Sequence, residues 1–432
     1  MRVLTNLSSK FELKQIFFLV FVFSLGLMGC EDKKLQTIKR VEYEPIYMTD
    51  QEFKNAVAME TPRELGKPGK IYFYNDYLFV NETNKGVHII DNSDPSSPSK
   101  VGFINIPSNK DIAVKGDRLY ADSHSDLLVF NIEDLQNPEL IKRIEDVFSF
   151  SATMVRGYPY QPVDNSKGIV VDWKKVEVEE ICQGDCYYYE RGGVLFDAMN
   201  AGSGAVAESG GNSGVGGSMA RFAITGDYLY AVDDINLVTF DISDQEPTKV
   251  DRQDLGWAIE TIFPHEQNLY IGSESAMYIF DITTPETPKQ MSIYTHLTAC
   301  DPVVVEGNHA FVTLRQGERC PRAVNRLEVI DVQDPYSPQK IAFYEMISPH
   351  GLGIDNGNLF VSEGEHGLKV MDASDPRNIK LLRHIKDLKT YDVIPYNNVL
   401  MVTGESGIVQ YDYSDIENLN HLSTIPVGTS AN

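Results

Sequence analysis

The feature that most constrains this chain is a period of about forty residues that begins near residue 70 and continues almost to the end. An apolar stretch ending in Asp or Asn recurs at Asp91, Asn131, Asp172, Asp241, Asp281, Asp331, Asp372 and Asp412, at intervals of 40, 41, 69, 40, 50, 41 and 40. An aromatic stands 11 or 12 residues before most of these anchors, at Phe79, Tyr120, Tyr160, Tyr230, Tyr270 and Phe360, with Leu400 in the last unit. Phe311 lies 20 residues before Asp331, which marks an insertion. Each unit reads as four short strands with turn signals between them, as in Asp111-Ile112-Ala113-Val114, Leu119-Tyr120-Ala121, Leu127-Leu128-Val129-Phe130 and Leu140-Ile141-Lys142-Arg143. No helical period competes with that alternation.

Four strands per forty residues, repeated, predict an all-β chain closed into a β-propeller, in which each blade buries its faces against its neighbours and the ring removes open ends. A solenoid of the same strands would need capping repeats, and none is visible. The span 70–428, less the 39 residues by which the two long intervals exceed forty, divides into eight units. Eight four-stranded blades is therefore the arithmetic reading. Seven blades plus an ornament is the alternative, because the flanks of Asp172 are atypical. The anchor carboxylates are expected to accept backbone N–H bonds of the turns that follow them rather than to bind calcium.

The strand ends Val87-His88-Ile89-Ile90-Asp91, Leu327-Glu328-Val329-Ile330-Asp331 and Leu368-Lys369-Val370-Met371-Asp372, with trailing Asp-Pro, resemble the LVIVD repeat family of bacterial propeller lipoproteins. That resemblance covers nearly all of the chain after its leader and implies a surface or periplasmic propeller of unassigned biochemistry. Asn131 in the second unit and the degenerate third unit depart from the pattern.

The leader has its own logic. Arg2, Lys10 and Lys14 against Glu12 precede an apolar run from Ile16 to Met28, 13 residues that are too short to span a bilayer comfortably. The ending Leu27-Met28-Gly29-Cys30 resembles a bacterial lipobox, so residues 1–29 are expected to be a lipoprotein signal peptide and Cys30 a diacylated N-terminus, palmitate included. Glu31 and Asp32 behind that cysteine resemble sorting signals of Bacteroidota surface lipoproteins, which implies the outer membrane or cell surface. Residues 30–69 read as the lipidated N-terminus and a tether, with one short helix near Thr49–Phe53 capped by Thr49 or Asp50, and 70–428 as the propeller.

Charge bounds the partners. With 38 basic and 62 acidic residues the chain stands at -24, and loss of three bases and one acid with the leader brings it to about -26. Such a field repels phosphate, so no nucleic acid is expected, and contact with the membrane is expected through the lipid alone. The propeller is expected to be a monomer.

Two insertions break the period, at about 173–218 and 314–326. The first carries Cys182 and Cys186, the run Tyr187-Tyr188-Tyr189, and a Gly/Ser-rich stretch from Ala201 to Ser218 that reads as flexible linker. The second carries Arg315, Arg319 and Cys320, with Cys300 twenty residues before that cysteine. Cys182 with Cys186 and Cys300 with Cys320 are expected as two disulfides, with a metal site or free thiols as the rivals. Arg315, Arg319 and the three tyrosines are candidate loop-binding residues, although the tyrosines equally suit clamping the insertion onto its blade.

No catalytic motif is legible, and nine scattered histidines have no metal-hydrolase spacing. One pattern remains. The first strands of the units begin near Asp111, Glu260, Asp301, His350 and Asp392, which a propeller would bring to one mouth of its channel. Such a ring suits a cation or cationic partner, and calcium is the one cofactor it suggests. The expectation is a lipid-anchored module that binds protein, glycan or another envelope component without catalysis. The alternative is an extracytoplasmic hydrolase or lyase using the acidic mouth.

Overall fold

The computed structural model describes residues 35–149, 161–183, 214–256, 258–296, 302–316 and 324–428. Seven four-stranded antiparallel sheets follow one another along the chain, within residues 68–105, 112–144, 222–254, 259–295, 303–345, 352–385 and 390–426. These are blades 1 to 7 of a propeller, and the innermost strands of successive blades lie against one another, from the first to the seventh. The seven-blade alternative is the correct one. Asp172, which entered the eight-unit count, lies instead in the long strand Ile169–Gln183, paired with Leu35–Met48 in a separate two-stranded ribbon. Its β-rich composition mimics a blade strand, but its carboxylate accepts from Trp173 N at 2.9 Å and Asn84 Nδ2 at 3.0 Å and closes no turn.

Every true anchor does close one. Asp91, Asn131, Asp241, Asp281, Asp331, Asp372 and Asp412 each accept, through one side-chain oxygen, the backbone N–H two residues on, at 2.7–3.0 Å. Asn131 serves as well as Asp because only an acceptor is needed. The second periodic signal is equally physical: Phe79, Tyr120, Tyr230, Tyr270, Phe311, Phe360 and Leu400 are all buried on the second strand of their blades, inside the core. A β-bulge recurs on the fourth strand of all seven blades, each time skipping an apolar residue: Val101, Ile141, Val250, Met291, Ile341, Leu382 and Leu422. Such bulges twist the outer edge and discourage pairing with another chain.

Blade 1 is extended on both sides. Ala58–Glu60 pairs with its outer strand, and Val215–Gly216 pairs with its innermost one. The segment expected as a tether is structured from Leu35 onward. Asp50–Asn55 is a helix whose N-cap is Thr49, with Glu52 completing a capping box, and its Phe53 is buried. Further along, Glu82 of blade 1 gathers Arg63 Nη2 at 3.1 Å, Gly66 N at 3.3 Å, Lys85 Nζ at 2.9 Å and His88 Nε2 at 3.0 Å, fastening residues 63–66 to the blade.

The ring closes between blades 7 and 1. Asn92 and Gln410, both buried, exchange reciprocal amide bonds of 3.0 and 2.6 Å. Phe73 packs on Tyr396 with ring centres 5.1 Å apart, and Gly428 N donates to Leu65 O at 2.8 Å. An apolar cluster joining Ile71, Leu78 and Ile90 to Ile394, Met401 and Ile425 completes the seam.

The outer part of the ribbon, residues 35–42 and 175–183, forms a unit of its own. Lys39 and Glu179 pair there at 3.3 Å, and Ile181 is largely exposed.

Candidate functional site

The repeat brings the residues 20–22 positions before each anchor to one mouth of the channel. Lys70, Asp111, Arg221, Glu260, His350 and Asp392 all occupy that register, in blades 1, 2, 3, 4, 6 and 7. Lys70 and Arg221 were missed as site residues, although the same count from Asp91 and Asp241 finds them. They change the electrostatics. Lys70 Nζ lies 2.8 Å from Asp111 Oδ2, which also accepts from the Arg221 backbone N–H, while Arg221 Nη2 reaches Asp234 Oδ1 at 2.8 Å.

Asp122 stands behind this pair and accepts from Asn109 Nδ2, Lys110 N and Asp111 N at 2.7–2.9 Å. Burial pushes its pKa above the ordinary carboxylate range, and burial pulls the Lys70 and Lys110 ammonium groups below theirs. Acid and base thus alternate where a bare carboxylate ring was expected. The cleft among Lys110, Asp111, Asp122, His124, Arg221 and Asp234 has room of about 20 Å³ for the centre of a water-sized sphere, enough for one water.

The channel itself is filled by the chain. Gly214 N donates to Val114 O at 3.0 Å, Val215 and Gly216 pair antiparallel with Phe73 and Tyr72, and Ala220 O accepts from Ile262 N at 2.8 Å. Ser218 is fully buried, with its hydroxyl 3.2 Å from Leu352 N and 3.4 Å from Asp392 Oδ1. Residues 214–220 therefore touch blades 1, 2, 4, 6 and 7. Part of the Gly/Ser run read as linker is a tightly packed plug, and its composition follows from space. A Cβ on Gly214 would lie 2.4 Å from Tyr72 Cε1 and 2.5 Å from Phe73 O. Residues 201–213 lie outside the described residues.

His350 and Asp392 lie at the same mouth and are buried. His350 Nδ1 is 2.8 Å from Ser348 O, and its ring rests against Gly364, where a Cβ would come within 2.7 Å. Burial, reinforced by the charge of Arg315, pushes its pKa down to about 3, so it is neutral in ordinary solution. Arg315, from the smaller insertion, is thus close enough to act on the mouth. Asp392 Oδ1 accepts from Val393 N at 2.8 Å, as Asp111 Oδ1 does from Ile112 N at 2.7 Å. Glu260 is half-buried at the start of its strand. Among the described residues no group of three or more His, Cys, Asp or Glu is placed to hold a metal ion. Cys30, Cys186, Tyr187, Tyr188, Tyr189, Cys300, Asp301, Arg319 and Cys320, and the side chain of Cys182, lie outside the described residues.

The model of the LVIVD repeat matches residues 66–105 and 216–248, which are blade 1, and the plug with most of blade 3. The chain carries LVIVD repeats. Their matched parts contain the anchors Asp91 and Asp241 with the turns those carboxylates close. Among solved structures, this propeller is similar to a protein from Lactobacillus plantarum at 11% identity and TM-score 0.53, covering 83% of this chain and 96% of that one. A functionally unknown protein from Desulfotomaculum acetoxidans is similar at 10% identity and TM-score 0.51, covering 82% and 98%. The computationally designed Ika8 protein is similar at 8% identity and TM-score 0.50, covering 86% and 92%. These likenesses speak to the fold alone. No curated protein matches this sequence.

Proposed function

We propose that this protein is a lipid-anchored binding or scaffolding module of the cell envelope, held by a diacylated Cys30 at the outer membrane or cell surface. The observation that carries the reading is the occupied channel. With residues 214–220 bonded to five blades, the axis of the ring is structural, and the loops and faces remain to meet a protein, glycan or other envelope component. The leader supports the address: a basic start, 13 apolar residues and Leu-Met-Gly-Cys. The disulfides proposed between Cys182 and Cys186 and between Cys300 and Cys320 would fit that oxidising compartment.

Metabolic labelling with an alkyne-tagged palmitate, comparing the full chain with Cys30→Ser, tests the anchor. Label on the wild type alone, with release of the variant into the soluble fraction, is the expected result; an unlabelled wild type refutes it. Photo-crosslinking on intact cells from exposed Tyr336 then tests the binding role, which predicts a discrete, competable adduct with an envelope component.

A further inference from the structure

The innermost strand of several blades ends in a residue that clasps the first turn of the next blade. Lys115 Nζ bonds Gly226 O at 2.7 Å and Asp227 Oδ1 at 2.6 Å across blades 2 and 3. His265 Nε2 meets Gly307 O at 3.0 Å across blades 4 and 5, and Glu306 Oε2 accepts from Gly357 N at 2.9 Å across blades 5 and 6. At the seam of blades 1 and 2 the equivalent residue is Tyr74, bonded to the backbone of Gly116. Here the clasp leaves a cleft of about 460 Å³ on the face opposite the charged mouth, within the range of roughly 300–1,000 Å³ typical of small-ligand sites.

Tyr74, Tyr77, Ile132 and Leu135 line this cleft, with Asp117 and Glu133 beside them. Among the described residues, neither the Tyr77 hydroxyl nor the Glu133 carboxylate has an intramolecular hydrogen bond or ion pair. The main chain of Glu133, which is exposed, is anchored by its N–H on Asn131 Oδ1 at 3.0 Å. The cation beside the cleft, Arg118, is already committed to Asp117 Oδ2 at 3.1 Å and Asn131 Oδ1 at 3.1 Å. An apolar wall, an aromatic ring and an unspent carboxylate together suit an ammonium group on an aliphatic stem.

Resting on the binding-module reading, we infer that this cleft takes a lysine side chain of a protein or peptide partner. The stem lies along Ile132 and Leu135, and the ammonium group meets the Glu133 carboxylate beside the Tyr77 ring. The charge of -24 on the whole chain likewise favours a cationic ligand. An anionic ligand would face two carboxylates.

The test uses the full chain and two probes, the peptide acetyl-Gly-Lys-Gly-amide and its Nε-acetylated form, followed by NMR titration. Saturable binding on the order of 1 mM is expected for the free amine, weakened about ten-fold by acetylation or by Glu133→Gln, and weakened by added salt. Tyr77→Phe should bind and melt as wild type, and Tyr77→Ala, which also gives up packing against the buried core beside it, should bind more weakly while remaining folded at the assay temperature. Equal affinity for the two peptides, or no saturation, overturns the inference. So does saturable binding of a neutral probe, chitotetraose, that Tyr77→Ala abolishes and Glu133→Gln leaves unchanged. Adducts from Tyr336 in cells that persist in Glu133→Gln would show that the cleft assignment alone had failed, whereas their absence from wild-type cells would remove the binding-module reading itself.

Discussion

Replacing Glu82 by Gln should be among the most destabilising single changes in blade 1, and the pH dependence gives its size. The carboxylate is almost fully buried, which by itself raises its pKa; hydrogen bonds from His88 and Lys85 and the charges of Lys85 and Arg63 outweigh that and hold it at about 2. Against the 4.5 of an unperturbed glutamate, that difference corresponds to about 3 kcal/mol favouring the folded state. Because the folded value is depressed, the contribution is fully present above pH 4.5 and is lost as pH falls toward 2. At pH 3.5 the loss amounts to about 1.4 kcal/mol. Glu82→Gln removes the titration and leaves Arg63, Lys85 and His88 facing a neutral amide, at a cost of about 3 kcal/mol at pH 7. Urea unfolding of both proteins at pH 7, 5 and 3.5 measures the gap. It should be nearly constant from pH 7 to 5 and narrow by about 1.4 kcal/mol at pH 3.5. Parallel curves throughout, or a gap below about 0.5 kcal/mol at pH 7, would refute the assignment of the depressed value to this cluster.

Three further outcomes are expected. Gly214→Val should destabilise by about 1–3 kcal/mol in chemical unfolding, since its side chain would enter Tyr72 and Phe73, whereas Gly226→Ala meets open space and bears only the strain of its φ of +56°, roughly 1 kcal/mol. Gln410→Leu orphans the buried Asn92 amide at the seam of the ring and should lower stability by about 1–3 kcal/mol in the same assay. The His350 Hε1 resonance should hold still from pH 8 to 5 in an NMR titration, because its pKa is about 3; a midpoint above 5 would mean that its ring reaches water.

Much of the ring was readable because its signals are local. An acceptor two residues before a turn N–H must sit at one place in each blade, so Asp91, Asn131 and their equivalents recur in register, and buried Phe79, Tyr120 and Tyr230 recur with them. The miscount of blades arose because Ile169-Val170-Val171-Asp172 has the composition of such a strand, while its partner, Leu35–Met48, is more than a hundred residues away. The mouth was half legible. Asp111, Glu260 and Asp392 were found by position, but Asp122 and Asp234 lie off that register, and the ion pair of Lys70 with Asp111 depends on which blades are neighbours. Least legible was the plug: Gly214 and Gly216 look like linker until the width left between Tyr72 and the opposite blades is known.

The plug also imposes an order of assembly. The chain leaves blade 2 beside the charged mouth, where Phe148 and Ser149 lie next to Arg221, yet residues 214–216 enter the channel from the other end, beside Phe73 and Val114, and run back to that mouth. A strand is thus passed through a hole whose rim the same polypeptide builds. Among the described residues, blades 7 and 1 meet through side chains and two main-chain contacts near Leu65, so the rim can shut around the strand as the last step. Joining those two blades covalently before folding would demand true threading, so for this molecule the position of the break in the circle is part of what makes the native state reachable.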